Sequence, residues 1–174
     1  MLPGLTLVTG GAASGKSVFA EELVRGTGRN LVYLATAQAF DAEMREKLAL
    51  HKDRRGPEWR TIEEPLDLGR RLAAIGGDNA VLVDCVTMWL SNHLLAENDP
   101  DEIEAELMAG LALCAAPVVL VTNEVGHCVV PENALARRFR NAQGRLNQRL
   151  AAKAGLVVHV ICGLPQVLKG DLPA

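Results

Sequence analysis

Gly10-Gly11-Ala12-Ala13-Ser14-Gly15-Lys16-Ser17 fits the pattern G-x-x-x-x-G-K-[ST] and sits in the context that gives the pattern meaning. Before it, Leu5-Thr6-Leu7-Val8-Thr9 is a β-branched, apolar run that reads as a buried strand. After it, Ser17 to Arg25 reads as a helix with Val18, Leu23 and Val24 among its apolar positions. Glycines let the backbone curl until successive N–H groups converge on phosphate oxygens, and the helix N-terminus adds its positive dipole end. Lys16 would then reach the β- and γ-phosphates as a solvent-facing contact, and the Ser17 hydroxyl would ligate the accompanying Mg2+. The implied ligand is a nucleoside triphosphate.

A second acidic group is needed to complete such a site. Asp84 closes the apolar run Ala80-Val81-Leu82-Val83, where a carboxylate at the end of a neighbouring buried strand helps hold the metal. A structural aspartate capping a turn or helix fits the same position, so both readings are open. A guanine-recognition motif of the N/T-K-x-D kind is absent, and Thr122-Asn123-Glu124-Val125 is the nearest run.

The segment from Asp41 to Glu63 is the other unusual stretch. Phe40, Met44 and Leu48 form a helical stripe, and His51 falls on roughly the same side, followed by Lys52, Arg54 and Arg55. A histidine ending a helix ordinarily complements the negative dipole end. Here the adjacent cations disfavour the imidazolium, leaving a neutral ring that could act as a covalent nucleophile. The same cations could offset charge developing on a phosphate.

These groups must be positioned by a scaffold, and the chain of 174 residues suits one domain spanning 1–174. Strands are predicted at Leu5–Thr9, Leu31–Ala35, Arg60–Glu63, Ala80–Asp84, Val118–Asn123 and Leu156–Cys162. Helices are predicted at Lys16–Arg25, Asp41–His51, Leu66–Ile75, Thr87–Ala96, Asp101–Cys114 and Glu132–Ala154. Near-continuous apolar strands are those buried on both faces, so the fold class is α/β, with a mostly parallel sheet flanked by helices. In the last helix Leu135, Phe139, Ala142, Leu146 and Leu150 form one apolar stripe. Its arginines lie elsewhere around the cylinder, either as a solvated face or for phosphate or subunit contacts.

Composition narrows the partners. A net charge of −3 with only three Phe, two Trp and one Tyr offers neither the basic footprint nor the stacking platforms of a nucleic-acid binder. No apolar run approaches the roughly 18 residues of a membrane span, and the N-terminus lacks a signal-peptide pattern. Cys85, Cys114, Cys128 and Cys162 contain no C-x-x-C pair. Reduced thiols in a cytoplasmic protein are therefore expected.

The assembled segments resemble one family, the bifunctional adenosylcobinamide kinase/adenosylcobinamide-phosphate guanylyltransferases of cobalamin biosynthesis. The resemblance runs through Thr9–Ser17, Tyr33–Ala37, His51–Arg55, Trp59–Glu63, Leu82–Asn92, Val121–Gly126, Val130–Asn133 and Gly144–Gln148. It implies a P-loop fold of the RecA-like kind and two reactions. ATP or GTP phosphorylates adenosylcobinamide, and GTP then donates GMP to that phosphate through a guanylylated histidine, releasing pyrophosphate. The family's histidine falls on His51. By the same resemblance Gly10, Gly11, Ala12, Ala13, Ser14, Gly15, Lys16, Ser17, Ala35, Thr36, Ala37, Lys52, Asp53, Arg54, Arg55, Glu63 and Asp84 line the nucleotide site. Ser17 and Asp84 are the expected metal ligands, and a homotrimer is the expected assembly.

Two departures stand out. Ala13 replaces an arginine usual in the family's phosphate loop, and His127-Cys128 follow Val125-Gly126 where a small residue and glycine are more usual. Other readings of the same residues are a small-molecule kinase without guanylyl transfer and a nucleotide-gated binding module.

Overall fold

In the computed structural model, residues 1–38 and 56–173 are described. The expected helix Asp41–His51, and with it His51, Lys52, Asp53, Arg54 and Arg55, lie outside the described residues. The elements are β1 (Leu5–Gly10), α1 (Lys16–Arg25), β2 (Asn30–Ala35), β3 (Trp59–Glu63), α2 (Leu68–Ala73), β4 (Asn79–Asp84) and α3 (Val86–Leu95). They continue as α4 (Pro100–Leu113), β5 (Val118–Asn123), α5 (Ala134–Lys153), β6 (Leu156–Ile161) and β7 (Leu164–Lys169). One seven-stranded sheet runs in the order β3-β2-β4-β5-β1-β6-β7. The first six strands are mutually parallel and β7 is antiparallel to β6.

The apolar runs are buried on both faces, as their composition predicts. On one face Val8, Leu82, Val119, Val121, Val158 and Val160 pack on Ala20 and Val24 of α1. On the other, Leu7, Val81, Val83, Val118 and Leu120 pack on α2, α3, α4 and α5. Two glycines let α2 and α4 cross closely, since a Cβ on Gly110 would stand 2.1 Å from Gly69 O.

Four expectations are corrected. The hairpin strand β7 was not anticipated. Its turn, Cys162-Gly163, has both residues at positive φ (53° and 79°), so β6 stops at Ile161 and not at Cys162. Helix α2 is shorter than Leu66–Ile75, because the Leu66 carbonyl accepts from Trp89 Nε1 at 2.8 Å and Asp67 stands at the cap. Helix α5 begins after Asn133, whose Oδ1 accepts from Leu135 N at 2.8 Å and Ala136 N at 3.3 Å. Finally, the α5 stripe is buried only at Ala142, Leu146 and Leu150, whereas Leu135 is 45% exposed. The helix meets the tip of β5 at Gln143 and Asn147, and the turns before them reach the core through Phe139 and Ala142 alone.

Candidate active site

The phosphate loop joins β1 to α1 at the C-terminal edge of the sheet, where its sharp curl requires particular backbone. A Cβ at Gly10 would lie 2.5 Å from Ser14 Oγ and 2.6 Å from Val160 O, so only glycine fits. Gly15 sits at φ 92°, with a notional Cβ 3.0 Å from Gly163 Cα. Ala13 is also left-handed, at φ 56°, a conformation an alanine holds at a cost of roughly 1 kcal/mol. The loop is braced from the hairpin turn, where Gly163 N donates to Ser14 O at 2.8 Å. Gly15 caps α1 without a side-chain acceptor, which leaves the amides of the first turn pointed at any anion above them.

Lys16 differs from expectation. It is only 9% exposed, and its Nζ donates to Gly11 O at 3.1 Å, folded back across the loop and not extended into solvent. The reason is local: the curl of the loop brings the Gly11 carbonyl over the first turn of α1, and the ammonium satisfies it. The same position puts a cation at the centre of the loop.

Register aligns the acidic tips with this loop. Glu63 is level with Ala35, and Ala35 with Asp84. Asp84 follows Leu82 on the α1 face, and its Oδ2 accepts from Tyr33 Oη at 3.0 Å. Asp84 Oδ1 and Ser17 Oγ have no hydrogen-bond partner among the described residues. One carboxylate and one hydroxyl, both oxygen donors on the phosphate side, fit Mg2+, which takes few protein ligands alongside phosphate and water. No group of three or more His, Cys, Asp or Glu residues suited to a metal exists among the described residues, so a soft-metal cage is not the design there.

The other candidates fall into distinct surroundings. Thr36 is wholly buried, with Oγ1 donating to Cys85 O at 2.7 Å and accepting from Cys85 N at 2.9 Å, and its carbonyl accepts from Asn92 Nδ2 at 2.8 Å. It ties the tip of β2 to the end of β4 through the main chain. Ala35 is buried, Ala37 is half-buried and Glu63 is exposed, whereas neighbouring Glu64 is engaged with Asp67 N and Arg71. Burial pushes the Cys85 thiol up to about 11, the Asp84 carboxylate adding to the effect against the pull of nearby amides and Lys16. At neutral pH it is a protonated, inert thiol. His127 and Cys128 lie exposed in the loop after β5, where Cys128 Sγ contacts Val125 O at 3.3 Å.

Sequence reasoning assigned no role to a polar network on the opposite side of β5. Gln143 Nε2 donates to Thr122 Oγ1 at 2.9 Å and Asn147 Oδ1 at 2.8 Å, and Thr122 Oγ1 donates to Asn147 Oδ1 at 2.7 Å. Thr87 Oγ1 lies 3.4 Å from Thr122 Oγ1. The available signal was a glutamine beside the apolar stripe of α5, opposite an apolar strand that ends in Thr-Asn.

A glycine-rich loop between a central parallel strand and a helix, with an acidic tip one strand removed, defines a P-loop nucleotide-binding α/β protein. Solved structures agree on the fold. Flagellar accessory protein FlaH from Methanocaldococcus jannaschii superposes with a TM-score of 0.54 at 14% identity, covering 98% of this chain and 80% of that one. An ATPase from the type III secretion system of pathogenic bacteria gives 0.57 at 13% identity, covering 94% and 56%. Sequence comparison is more specific. Residues 6–168 match the cobinamide kinase / cobinamide phosphate guanyltransferase model, and the chain belongs to that family. It is 44% identical over 95% of its length, and 99% of the relative's, to the bifunctional adenosylcobalamin biosynthesis protein CobU of Salmonella typhimurium. It is 42% identical, over 95% and 97%, to the corresponding protein CobP of Pseudomonas aeruginosa.

Proposed function

We propose that residues 1–174 form one nucleotide-binding domain that carries out both reactions of this family on adenosylcobinamide. The observation that carries the reading is the full-length likeness to bifunctional adenosylcobalamin biosynthesis proteins in a chain that retains Lys16, Ser17 and Asp84 around its phosphate loop. In the kinase step the aminopropanol hydroxyl attacks the γ-phosphorus of ATP or GTP, the nucleoside diphosphate leaves, and the hydroxyl proton is released. Loop amides and Lys16 hold the phosphates and offset their charge, so positioning and electrostatics supply the catalysis. Ser17 and Asp84 would hold Mg2+, which neutralises phosphate charge when bound.

In the second step a neutral imidazole nitrogen of His51 attacks the α-phosphorus of GTP and pyrophosphate leaves. An oxygen of adenosylcobinamide phosphate then attacks the same phosphorus, the N–P bond breaks, and His51 is regenerated with adenosylcobinamide-GDP as product. Lys52, Asp53, Arg54 and Arg55, with Ala35–Ala37 and Glu63, belong to the same nucleotide site in this reading. The assembly is a homotrimer. The exposed apolar side chains Leu95 at the end of α3, Val129 and Val130 in the loop before α5, and Leu135 in its first turn support a covered surface there. The location is the cytoplasm, consistent with cysteines that form no disulfide. No helix among the described residues is long and apolar enough to cross a membrane.

GTP labelled at the α-phosphate tests the reading. The wild-type protein should retain label after denaturation, in a bond labile to acid and stable to base, as a phosphoramidate is. His51→Ala should lose the label and the guanylyl transfer while keeping kinase turnover, because the hydroxyl attacks the γ-phosphorus with no protein nucleophile. No adduct in wild type would reduce the function to a kinase. Label that persists in His51→Ala would move the nucleophile elsewhere.

A further inference from the structure

Helix α3 starts two residues after Asp84 and sets three polar side chains against the tips of the two strands beyond β4. Asn92 is 5% exposed. Its Nδ2 donates one hydrogen to Thr36 O at 2.8 Å and the other to Pro65 O at 3.1 Å. On the same helix face, Trp89 Nε1 donates to Leu66 O at 2.8 Å, and His93 Nε2 stands 3.1 Å from the same oxygen. A carbonyl only accepts, so His93 carries its proton on Nε2, while its Nδ1 accepts from Asn98 Nδ2 at 2.8 Å. One helix face thus holds two consecutive carbonyls of the turn that leaves β3 and one carbonyl at the tip of β2. The arrangement has a cost: Asn92 Oδ1 is buried without a hydrogen-bond partner among the described residues. Leucine would fill a similar space without that cost, so what Asn92 contributes is its two donated bonds.

These bonds fix the offset between three strand tips. Strands β3, β2 and β4 are consecutive in the sheet, and register sets Glu63 level with Ala35 and Ala35 level with Asp84. Glu64 N donates to Ala35 O at 2.8 Å, which carries the β2–β3 pairing one residue past Glu63. Asn92 then joins the main chain just beyond this pair, at Thr36 and Pro65, to a helix rooted at the end of β4. The phosphate loop follows β1, three strands from β2, or about 14 Å at the usual strand spacing. One ligand meets both regions only when extended, with its phosphates on the loop and its nucleoside toward β2 and β3.

We propose that Asn92 and His93 are positioning residues for the nucleoside end of GTP. Through Thr36, Pro65 and Leu66 they hold Ala35–Ala37 and Glu63 at the offset from the loop that an extended GTP requires. They touch neither the nucleotide nor the reacting atoms. This rests on the reading of Ala35–Ala37 and Glu63 as part of the nucleotide site.

The test uses the full-length protein with Mg2+, titrated with GTP and with inorganic triphosphate, which carries the phosphates without the nucleoside. Wild type should bind GTP the more tightly. Asn92→Leu should weaken GTP about tenfold, the loss from one misplaced ligand hydrogen bond, and leave inorganic triphosphate within about twofold. A role confined to stability would lower Tm and leave the ratio of the two affinities unchanged, which overturns the proposal. So does unchanged GTP affinity in a folded variant. If Asn92→Leu does not fold, His93→Phe carries the same comparison with a loss of about threefold, because Trp89 still serves Leu66 O. His93→Gln, whose amide can donate from the place of Nε2, should restore GTP binding; affinity as weak as that of His93→Phe removes His93 from the assignment. Wild-type protein that binds inorganic triphosphate as tightly as GTP overturns the reading of Ala35–Ala37 and Glu63 and this inference together. A wild-type preference for GTP that survives in the variants overturns this inference alone.

Discussion

The two sides of the strand tips differ in how their polar groups are used. On the α3–α5 side, Thr87, Thr122, Gln143 and Asn147 bond to one another and to the main chain of Asn123, with Gln143 Oε1 left as a buried atom without a partner among the described residues. On the α1 side, Ser14 N donates to Gly11 O at 3.3 Å within the loop, but Ser17 Oγ, Asp84 Oδ1 and the Asn123 carboxamide lack partners among the described residues. Mutually bonded side chains rigidify, whereas unspent groups in a fixed frame recognise ligands. The comparison also shows why cavity size is a poor guide here. A cavity of about 410 Å³ lies far from the loop, lined by Met1, Leu2, Phe19, Leu23 and Pro117 among others, at the opposite edge of the sheet.

Lys16→Ala breaks the α1 side most severely. Loss of a positioned cation at the phosphates should lower turnover in both reactions by about a hundredfold or more. The structural cost is small, because the ammonium satisfies only the carbonyl of Gly11, a residue at the solvent surface. About 1 kcal/mol is expected. Rates near wild type from a folded Lys16→Ala protein would remove the loop from the chemistry.

Gln143→Leu probes the opposite side. It deletes donors to Thr122 and Asn147 but leaves both hydrogen bonds of the Asn123 main chain, whose N–H donates to Thr87 Oγ1 and whose carbonyl accepts from Asn147 Nδ2. A loss of about 2 kcal/mol is expected, or roughly 4–8 °C in Tm. The ratio of GTP to GDP affinity should stay within about twofold. A variant with unchanged Tm and a collapsed GTP preference would invert the comparison, making the network part of the binding surface.

How much of this was legible in the sequence depended on the range of the interactions. The loop is encoded in eight consecutive residues, and five of the six parallel strands announce themselves as apolar runs, β3 with its sequence WRTIE being the exception, so the frame and the place of Asp84 could be read directly. Strand β7 could not, because all six of its residues are exposed, Pro165 interrupts its pattern, and the Cys162-Gly163 turn lacks the usual Asn or Asp. Lys16 was placed in solvent because its burial depends on how the loop curls. Tyr33 carries no signal of its own within the run Tyr33–Ala37. Its hydroxyl meets Asp84 across 51 residues, and Gln143 meets Thr122 across 21, pairings that only the folded register creates.

The smallest expected effect sharpens the boundary between the two sides. Cys85 follows Asp84 directly and packs on the α1 side, so proximity alone would make it a rival nucleophile to His51. Its thiol is pushed from 9.0 up to about 11, chiefly by burial and secondarily by the Asp84 carboxylate. A raised pKa favours the neutral form, so at pH 8 only about one thiol in a thousand is ionised, a hundredfold less than at the ordinary value. Thr36 bonds to the main chain of Cys85 and not to its sulfur, so truncation leaves that tie intact. Cys85→Ala should therefore keep the α-phosphate adduct, and kcat should follow the wild-type pH profile within about twofold from pH 6 to 9. If the adduct disappeared, or the alkaline limb of the profile moved, the thiolate would be taking part, and the line between unspent recognition groups and inert neighbours would have to be redrawn through Cys85.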